Sequence, residues 1–295
     1  MMNHAVRKKI SPHLFGFLIT LLFFVLLPLC LHAGEQGKKG EPKRIISLGP
    51  GITEWLYMLG IEDRIIGVTT YCQKPPRAKE KTKIGTVMEV DVEKIIDMRP
   101  DLVIGTALTD TKDVRKLRDL GINVIVFEVS KDFNKLCEVF LNLGKLTGRE
   151  EKAYGLIEAS KKRLAGIRKR VDTLPRSRVF VQLGSKPLFA ATKDFLINDF
   201  IEFAGGANIF RDAQSGLIGR EEVVKRNPDV IIITTMGLSG EGERKAWQRY
   251  KTVNAVKNGN VYIMDSDLIC SPTPVSFVET LEEFVRILHP EAAKG

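Results

Sequence analysis

Glu93-Lys94-Ile95-Ile96-Asp97-Met98-Arg99-Pro100-Asp101-Leu102-Val103-Ile104 and Glu221-Glu222-Val223-Val224-Lys225-Arg226-Asn227-Pro228-Asp229-Val230-Ile231-Ile232 align without a gap. In each, a glutamate precedes the proline by seven residues and an apolar run follows the Pro-Asp pair. Proline lacks the N–H a helix needs and restricts the residue before it, so the helix ends at the corner. The unbroken apolar run beyond the aspartate has the character of a central strand. A unit that occurs twice implies two halves built alike.

Outward from the first copy, strand signals at 44–48, 65–68, 102–104 and 124–127 alternate with helical patterns at 53–59, 92–98 and 111–120. Around the second copy, strands at 179–183, 230–233 and 261–264 alternate with helices at 194–203, 221–226 and 276–288. Such alternation predicts parallel sheets covered on both faces. Between the copies, residues 133–171 are helical throughout, broken at Gly148. Leu156, Ile157, Ser160, Leu164, Ile167 and Val171 recur at helical spacing with Lys161, Lys162, Arg163, Lys169 and Arg170 among them. A helix of that length is longer than one lobe needs and reads as a stiff bridge. The expected fold is α/β: two Rossmann-like lobes with parallel sheets, joined by one long rigid helix, with a ligand cleft between them. The boundaries read as a lobe over 43–148, the bridge over 149–174 and a second lobe over 175–295.

The N-terminus reads differently. Arg7, Lys8 and Lys9 precede an apolar run, Leu14 to Leu31, which closes on Leu31-His32-Ala33 and a polar stretch. This is the pattern of an export signal, here residues 1–33, with residues 34–42 as a linker. About 18 apolar residues also suffice for a retained anchor, which is the rival reading. Lipid attachment at Cys30 is disfavoured, because Leu29 stands where such signals carry a small residue. The mature chain would be periplasmic.

Composition narrows the chemistry. The formal charge of +9 falls to +6 when Arg7, Lys8 and Lys9 are removed. The remaining basic residues are scattered and lack interleaved aromatics, which argues against nucleic acid. Of four histidines, His4, His13 and His32 lie in the export segment and only His289 remains. A multi-histidine metal centre is thereby excluded, and a nucleophile–histidine arrangement would depend on a residue near the C-terminus. No Walker A pattern occurs, and Gly49-Pro50-Gly51 lacks dinucleotide-loop spacing. The chain is expected to be no enzyme, to carry no intrinsic cofactor and to act as a monomer.

Ligands of parallel α/β units bind at the carboxyl ends of the strands. That points to the loops at 49–52, 70–76, 85–88 and 105–110 in the first lobe and at 184–189, 236–240 and 265–274 in the second. Tyr71 and Phe189 offer flat surfaces for a large planar ligand. Cys72 and Cys270 fall in loops expected to face one another, as unrelated thiols, as a disulfide or as contacts to a ligand's metal. Glu93 and Glu221 occupy equivalent first-turn positions. The helix dipole alone favours a carboxylate there, by roughly 0.3–1 kcal/mol, and one carboxylate per lobe also suits docking onto arginines of a two-fold partner.

Taken in order, Arg44-Ile45-Ile46-Ser47-Leu48, Thr53-Glu54, Gly67-Val68, Pro75-Pro76 and Arg99-Pro100-Asp101-Leu102-Val103 resemble one family. So do Arg178-Val179-Phe180-Val181-Gln182, Gly205-Gly206-Ala207-Asn208-Ile209-Phe210, Asn227-Pro228-Asp229 and Asn258-Gly259-Asn260-Val261-Tyr262. It is that of the periplasmic-binding proteins for vitamin B12 and iron chelates, and the resemblance covers nearly the whole mature chain. It implies capture of a corrinoid, or alternatively a ferric siderophore or haem, for an ABC permease dimer with its ATPase. The cargo would then carry cobalt or iron. Glu93 and Glu221 match the glutamates that dock onto permease arginines, and Tyr71 matches a cleft tyrosine of the B12-binding members. Where those members carry cleft tryptophans this chain has Val87 and Thr106. Readings of another class are a surface adhesin or sensor domain on the same scaffold, and an enzyme holding a metallocluster.

Overall fold

A computed structural model describes residues 40–234 and 240–291. The expected export segment, the linker up to residue 39 and the greater part of the 236–240 loop lie outside the described residues. No described helix is long and apolar enough to cross a membrane.

The first lobe contains β1 (Ile45–Ser47), α1 (Pro50–Met58), β2 (Ile65–Val68), β3 (Thr82–Lys83), α2 (Val92–Asp97), β4 (Leu102–Thr106), α3 (Thr111–Asp119) and β5 (Val124–Phe127). Helices α4 (Phe133–Leu146) and α5 (Glu150–Val171) follow. The second lobe begins with β6 (Arg178–Ser185), β7 (Leu188–Ala190), α6 (Ile197–Phe203), β8 (Ala207–Asn208) and α7 (Arg220–Arg226). It continues with β9 (Val230–Thr234), α8 (Gly240–Trp247), α9 (Asn254–Lys257), β10 (Val261–Met264), α10 (Ser266–Cys270) and α11 (Pro274–Leu288).

The first sheet is wholly parallel with order β3-β2-β1-β4-β5. The second runs β10-β9-β6-β7 with β8 beside β6, and β7 is antiparallel. That departs from the all-parallel expectation. Residues 184–189 form a hairpin turn instead of a crossover loop, with Ser185 opposite Leu188 and a cis bond at Lys186-Pro187.

The twelve-residue repeat extends to atomic detail. Arg99 and Asn227, the residues before the two prolines, both take φ of 45°. Asp101 Oδ2 accepts from the backbone N–H of Arg44 at 2.9 Å, and Asp229 Oδ2 from that of Arg178 at 3.0 Å. Each of these arginines also donates its guanidinium to carbonyls at the end of the preceding helix: Arg44 to Met98 and Arg99, Arg178 to Arg226. The sheets then pair in the same register, Ile45 with Leu102 and Val179 with Val230. Orphan helix carbonyls are thus satisfied by a strand-leading arginine, the task a C-terminal cap otherwise performs.

Alternation along the strands divides the interior into three layers. Ile46, Leu48 and Val103 face an outer cluster of the first lobe, and Phe180, Ile231 and Ile233 an outer cluster of the second. Ile45, Leu102 and Ile104 join Val179, Val181, Val230 and Ile232 in one continuous central core. The two lobes therefore share a core. Helices α4, α5, α6 and α11 fill the space between the inner sheet faces. Helix α5, about 33 Å long at 1.5 Å per residue, buries Ala153, Ile157, Ser160, Leu164, Ile167 and Val171 as a single stripe. It packs on α4, α6 and α11, and α11 packs on α4 as well. Phe277 of α11 stacks on Phe200 at 4.2 Å and meets Phe133 of α4 at 4.6 Å. The Phe133 N–H donates to Asp199 Oδ2 of α6 at 2.8 Å. Burial, more than the hydrogen bond offsets, raises the Asp199 pKa.

Candidate functional site

In a doubly wound sheet the ligand crevice lies where the strand order reverses, outside the carboxyl ends of the strands. Here that switch falls between β1 and β4. A cavity of about 330 Å³ opens there. Its floor is the β1–α1 turn, Gly49 to Ile52, with Thr106 at the end of β4. A Cβ on Gly49 would lie 2.8 Å from Thr106 Cγ2, so a larger residue there would force the Thr106 side chain to shift. Trp55, Tyr71 and Val87 form one wall, and Leu108 with Phe127 to Ser130 another. Leu196 and the turn Cys270-Ser271-Pro272 close it from the second lobe.

The walls are apolar and uncommonly exposed. Tyr71, Leu108 and Val129 are 62–66% accessible, and Met88 beside Val87 is 68%. Isolated apolar side chains on a surface need no explanation, but several gathered at one cavity mark an interaction site. Among the described lining residues Glu128 is the only carboxylate, and there is no lysine, arginine or histidine. No cluster of metal-ligating side chains occurs among the described residues.

Of the residues expected to contact ligand, Tyr71, Val87, Thr106 and Cys270 are brought together in this cavity. Cys72 and Phe189 are not. Cys72 is fully buried, with its sulfur 3.1 Å from Thr53 Oγ1 and 3.2 Å from Thr69 Oγ1, in a polar cluster with Ser47 beneath the β1–α1 turn. Phe189 pairs with Gly184 as a strand residue, and its ring packs edge-on against Phe195 at 5.7 Å. Cys72 and Cys270 are free thiols, one in the interior and one exposed at the cavity rim. Crowding of the Cys270 sulfur, with Asp267 and Asp265 nearby, pushes its pKa up to about 11, so the neutral thiol faces the cavity. Burial likewise pushes Cys137, on α4, up to about 11. Unreduced protein lacking residues 1–33, unfolded in guanidinium, should present three titratable thiols; a count of one would mean that two are bridged.

Trp55 and the segment 127–130 were not legible as site residues. Trp55 shares the apolar face of α1 with Ile52 and Leu56, the ordinary mark of core. Its place at the cavity depends on the second lobe, because its Nε1–H donates to the Pro272 carbonyl at 3.3 Å. The end of β5 lies at the same carboxyl edge as the loops after β1 to β4, which is the signal that places residues 127–130 at the cleft.

Glu93 and Glu221 lie far along the chain from one another but in like settings. Both are exposed first-turn residues, of α2 and α7, helices that return antiparallel to the strands and so begin at the cleft end of each lobe. Neither joins an ion pair among the described residues, whereas neighbouring Glu222 pairs with Arg226. The start of α7 is anchored by Arg220, which meets Glu243 Oε2 at 2.6 Å and lies 4.6 Å over the Trp247 ring. Gln182 links Glu243 to the buried Trp247 indole through two 2.7 Å bonds. Burial would raise the Glu243 pKa, but the hydrogen bonds from Gln182 and Arg220 hold it below the usual value.

Comparison with known proteins agrees with this architecture. An uncharacterised ABC transporter substrate-binding lipoprotein of Bacillus subtilis, YvrC, is 32% identical over 267 residues, 87% of this chain and 83% of that protein. The structure of a possible iron-binding, periplasmic solute-binding protein from Staphylococcus epidermidis superposes with a TM-score of 0.76 at 30% identity, covering 84% of this chain and 99% of that one. That of the periplasmic vitamin B12 binding protein BtuF of Vibrio cholerae gives 0.72 at 26% identity, covering 86% and 99%. A family model of periplasmic binding proteins matches residues 45–268. With a shared-core, two-lobed scaffold and a cleft at the switch point, the chain belongs to the periplasmic binding protein family.

Proposed function

We propose that this chain captures a corrinoid in the cleft and hands it to the paired permease subunits of an ABC importer, whose ATPase supplies the energy. It would act as an exported, non-enzymatic monomer, and the cobalt would travel in the cargo, with no cofactor resident in the protein. The observation that carries the choice of ligand is the cavity wall: apolar, aromatic at Tyr71 and Trp55, and without a cation among the described residues. A corrin ring bears neutral amides at its periphery and asks for flat apolar contact and hydrogen bonds. Haem carboxylates and anionic ferric chelates would enter this cavity unpaired, at the cost of desolvating charge. At about 330 Å³ the cavity is near the lower end for small-molecule sites. A macrocycle would therefore be held partly between the lobes, with its periphery in solvent.

Calorimetric titration of the mature chain with cyanocobalamin, cobinamide, haemin and a set of ferric siderophores tests this. One-to-one binding of the corrinoids is expected, weakened roughly two- to ten-fold by Tyr71→Ala through loss of a flat aromatic contact. Binding of haemin or a siderophore with silence from both corrinoids would overturn the choice of ligand.

A further inference from the structure

Polar contacts join the two lobes across one lip of the cleft, whereas at the other the strand-end loops make none and the first link is the Phe133 N–H to Asp199. At the first lip, Trp55 Nε1–H of α1 donates to the Pro272 carbonyl. Close by in sequence, Lys74 Nζ reaches Asp267 at 3.1 Å and Asp265 at 3.8 Å, both at the start of α10. Glu54 completes the cluster electrostatically: burial raises its pKa, Lys74 counters that and Asp267 adds to it. The chains approach so closely here that a Cβ on Gly51 would lie 3.4 Å from the Ser271 Cβ. At the opposite lip, residues 107–130 make no hydrogen bond or ion pair to the second lobe among the described residues. Yet that lip carries the exposed Leu108 and Val129.

We propose that Trp55 with Pro272 and Lys74 with Asp265 and Asp267 form a strap that holds the lobes at their present separation. Its rupture widens the cavity and sets how quickly ligand leaves. The strap adjoins the cavity directly, since Gly51, Trp55, Tyr71 and residues 270–272 line it while Lys74 and Asp267 stand just behind. These are positioning residues, and only their effect on release rests on the cleft being the ligand site. The ion pair is half-exposed, so it contributes little to global stability and is screened by salt. Those are properties suited to a contact that must break repeatedly.

Amide hydrogen exchange on the ligand-free chain tests the strap without reference to any ligand. Lys74→Glu places a third carboxylate against Asp265 and Asp267, and exchange in segments 50–56 and 268–274 should rise roughly two- to five-fold. The exchanged pair, Lys74→Glu with Asp267→Lys, should restore most of the protection. In the unaltered chain 1 M salt, where the screening length falls to about 3 Å, should raise exchange in the same segments, and Lys74→Met should remove that salt response. Cyanocobalamin release, followed by stopped flow, should quicken with Lys74→Glu by a like factor. Exchange unaffected by both charge reversal and salt would overturn the strap whatever the ligand proves to be. Silence from both cyanocobalamin and cobinamide would overturn the corrinoid reading alone, leaving the exchange result to decide the strap.

Discussion

Glu93→Ala combined with Glu221→Ala is expected to abolish delivery of ligand by the permease while leaving the affinity of the isolated chain within about two-fold. The expectation rests on how the two carboxylates are held. Each stands in the first turn of a helix that begins at the cleft end of its lobe and ends in the same arginine-capped Pro-Asp corner. Asp91 caps the first of these helices by accepting from the Lys94 N–H at 3.0 Å. Arg220, held by Glu243 and Trp247, steadies the start of the second. Two exposed carboxylates without ion pairs among the described residues, presented alike by two related halves, suit a partner with pseudo-two-fold symmetry. Truncating one member of a desolvated interfacial charge pair costs about 2–5 kcal/mol, so losing both would weaken docking by several orders of magnitude. The dipole contribution lost from each helix is only about 0.3–1 kcal/mol, and the melting temperature should barely move. Reconstituted transport at the unaltered rate would remove the docking role. A large fall in ligand affinity would assign the glutamates to the cleft instead.

Phe277→Ala should give the largest loss of stability among single side chains, about 3–5 kcal/mol. Its ring is fully buried, stacked on Phe200 and in contact with Phe133 and Phe203. It joins the closing helix to the helices on either side, so the cavity it leaves lies in the core common to both lobes. At about 2–4 °C per kcal/mol for a chain of this size, the melting temperature should fall by roughly 6–20 °C. The unaltered chain should melt in one cooperative transition, because neither sheet's inner face is buried without the shared helices. A shift under about 3 °C, or two separate transitions in the unaltered chain, would show that the lobes are independently cored.

The contrast between Cys72 and Trp55 explains what was legible. Both follow from the same local rules, and the rules ranked them the wrong way. Cys72 sits in a loop at a strand's carboxyl end, the place where ligand residues gather, but its side chain turns under the β1–α1 turn to meet Thr53 and Thr69. Trp55 sits on a helix among core residues, yet the second lobe brings Pro272 over it and makes it cavity wall. Phe189 lies in the segment 184–189, expected as a loop at a strand's carboxyl end, but that segment turns as a hairpin and carries it into the sheet. In each case the deciding contact is made by a residue distant in the chain.

The amino-acid sequence by itself determined the main strands and helices, their alternation, the duplicated helix-to-strand corner and the long bridging helix, but not the short strands β3, β7 and β8 or the helices α8 to α10. These depend on local physics: the missing N–H of proline, the period of apolar residues, and the charge preference of a helix end. It also limited the chemistry, since His289 is the only histidine after residue 33 and the fold beyond that point cannot build a multi-histidine centre. Only the tertiary structure decided that the lobes share one core, that Arg44 and Arg178 close the two corners alike, and that Trp55 and not Cys72 faces the cavity. Such contacts join residues up to 217 positions apart, and no local pattern encodes which of two compatible surfaces a distant segment will cover.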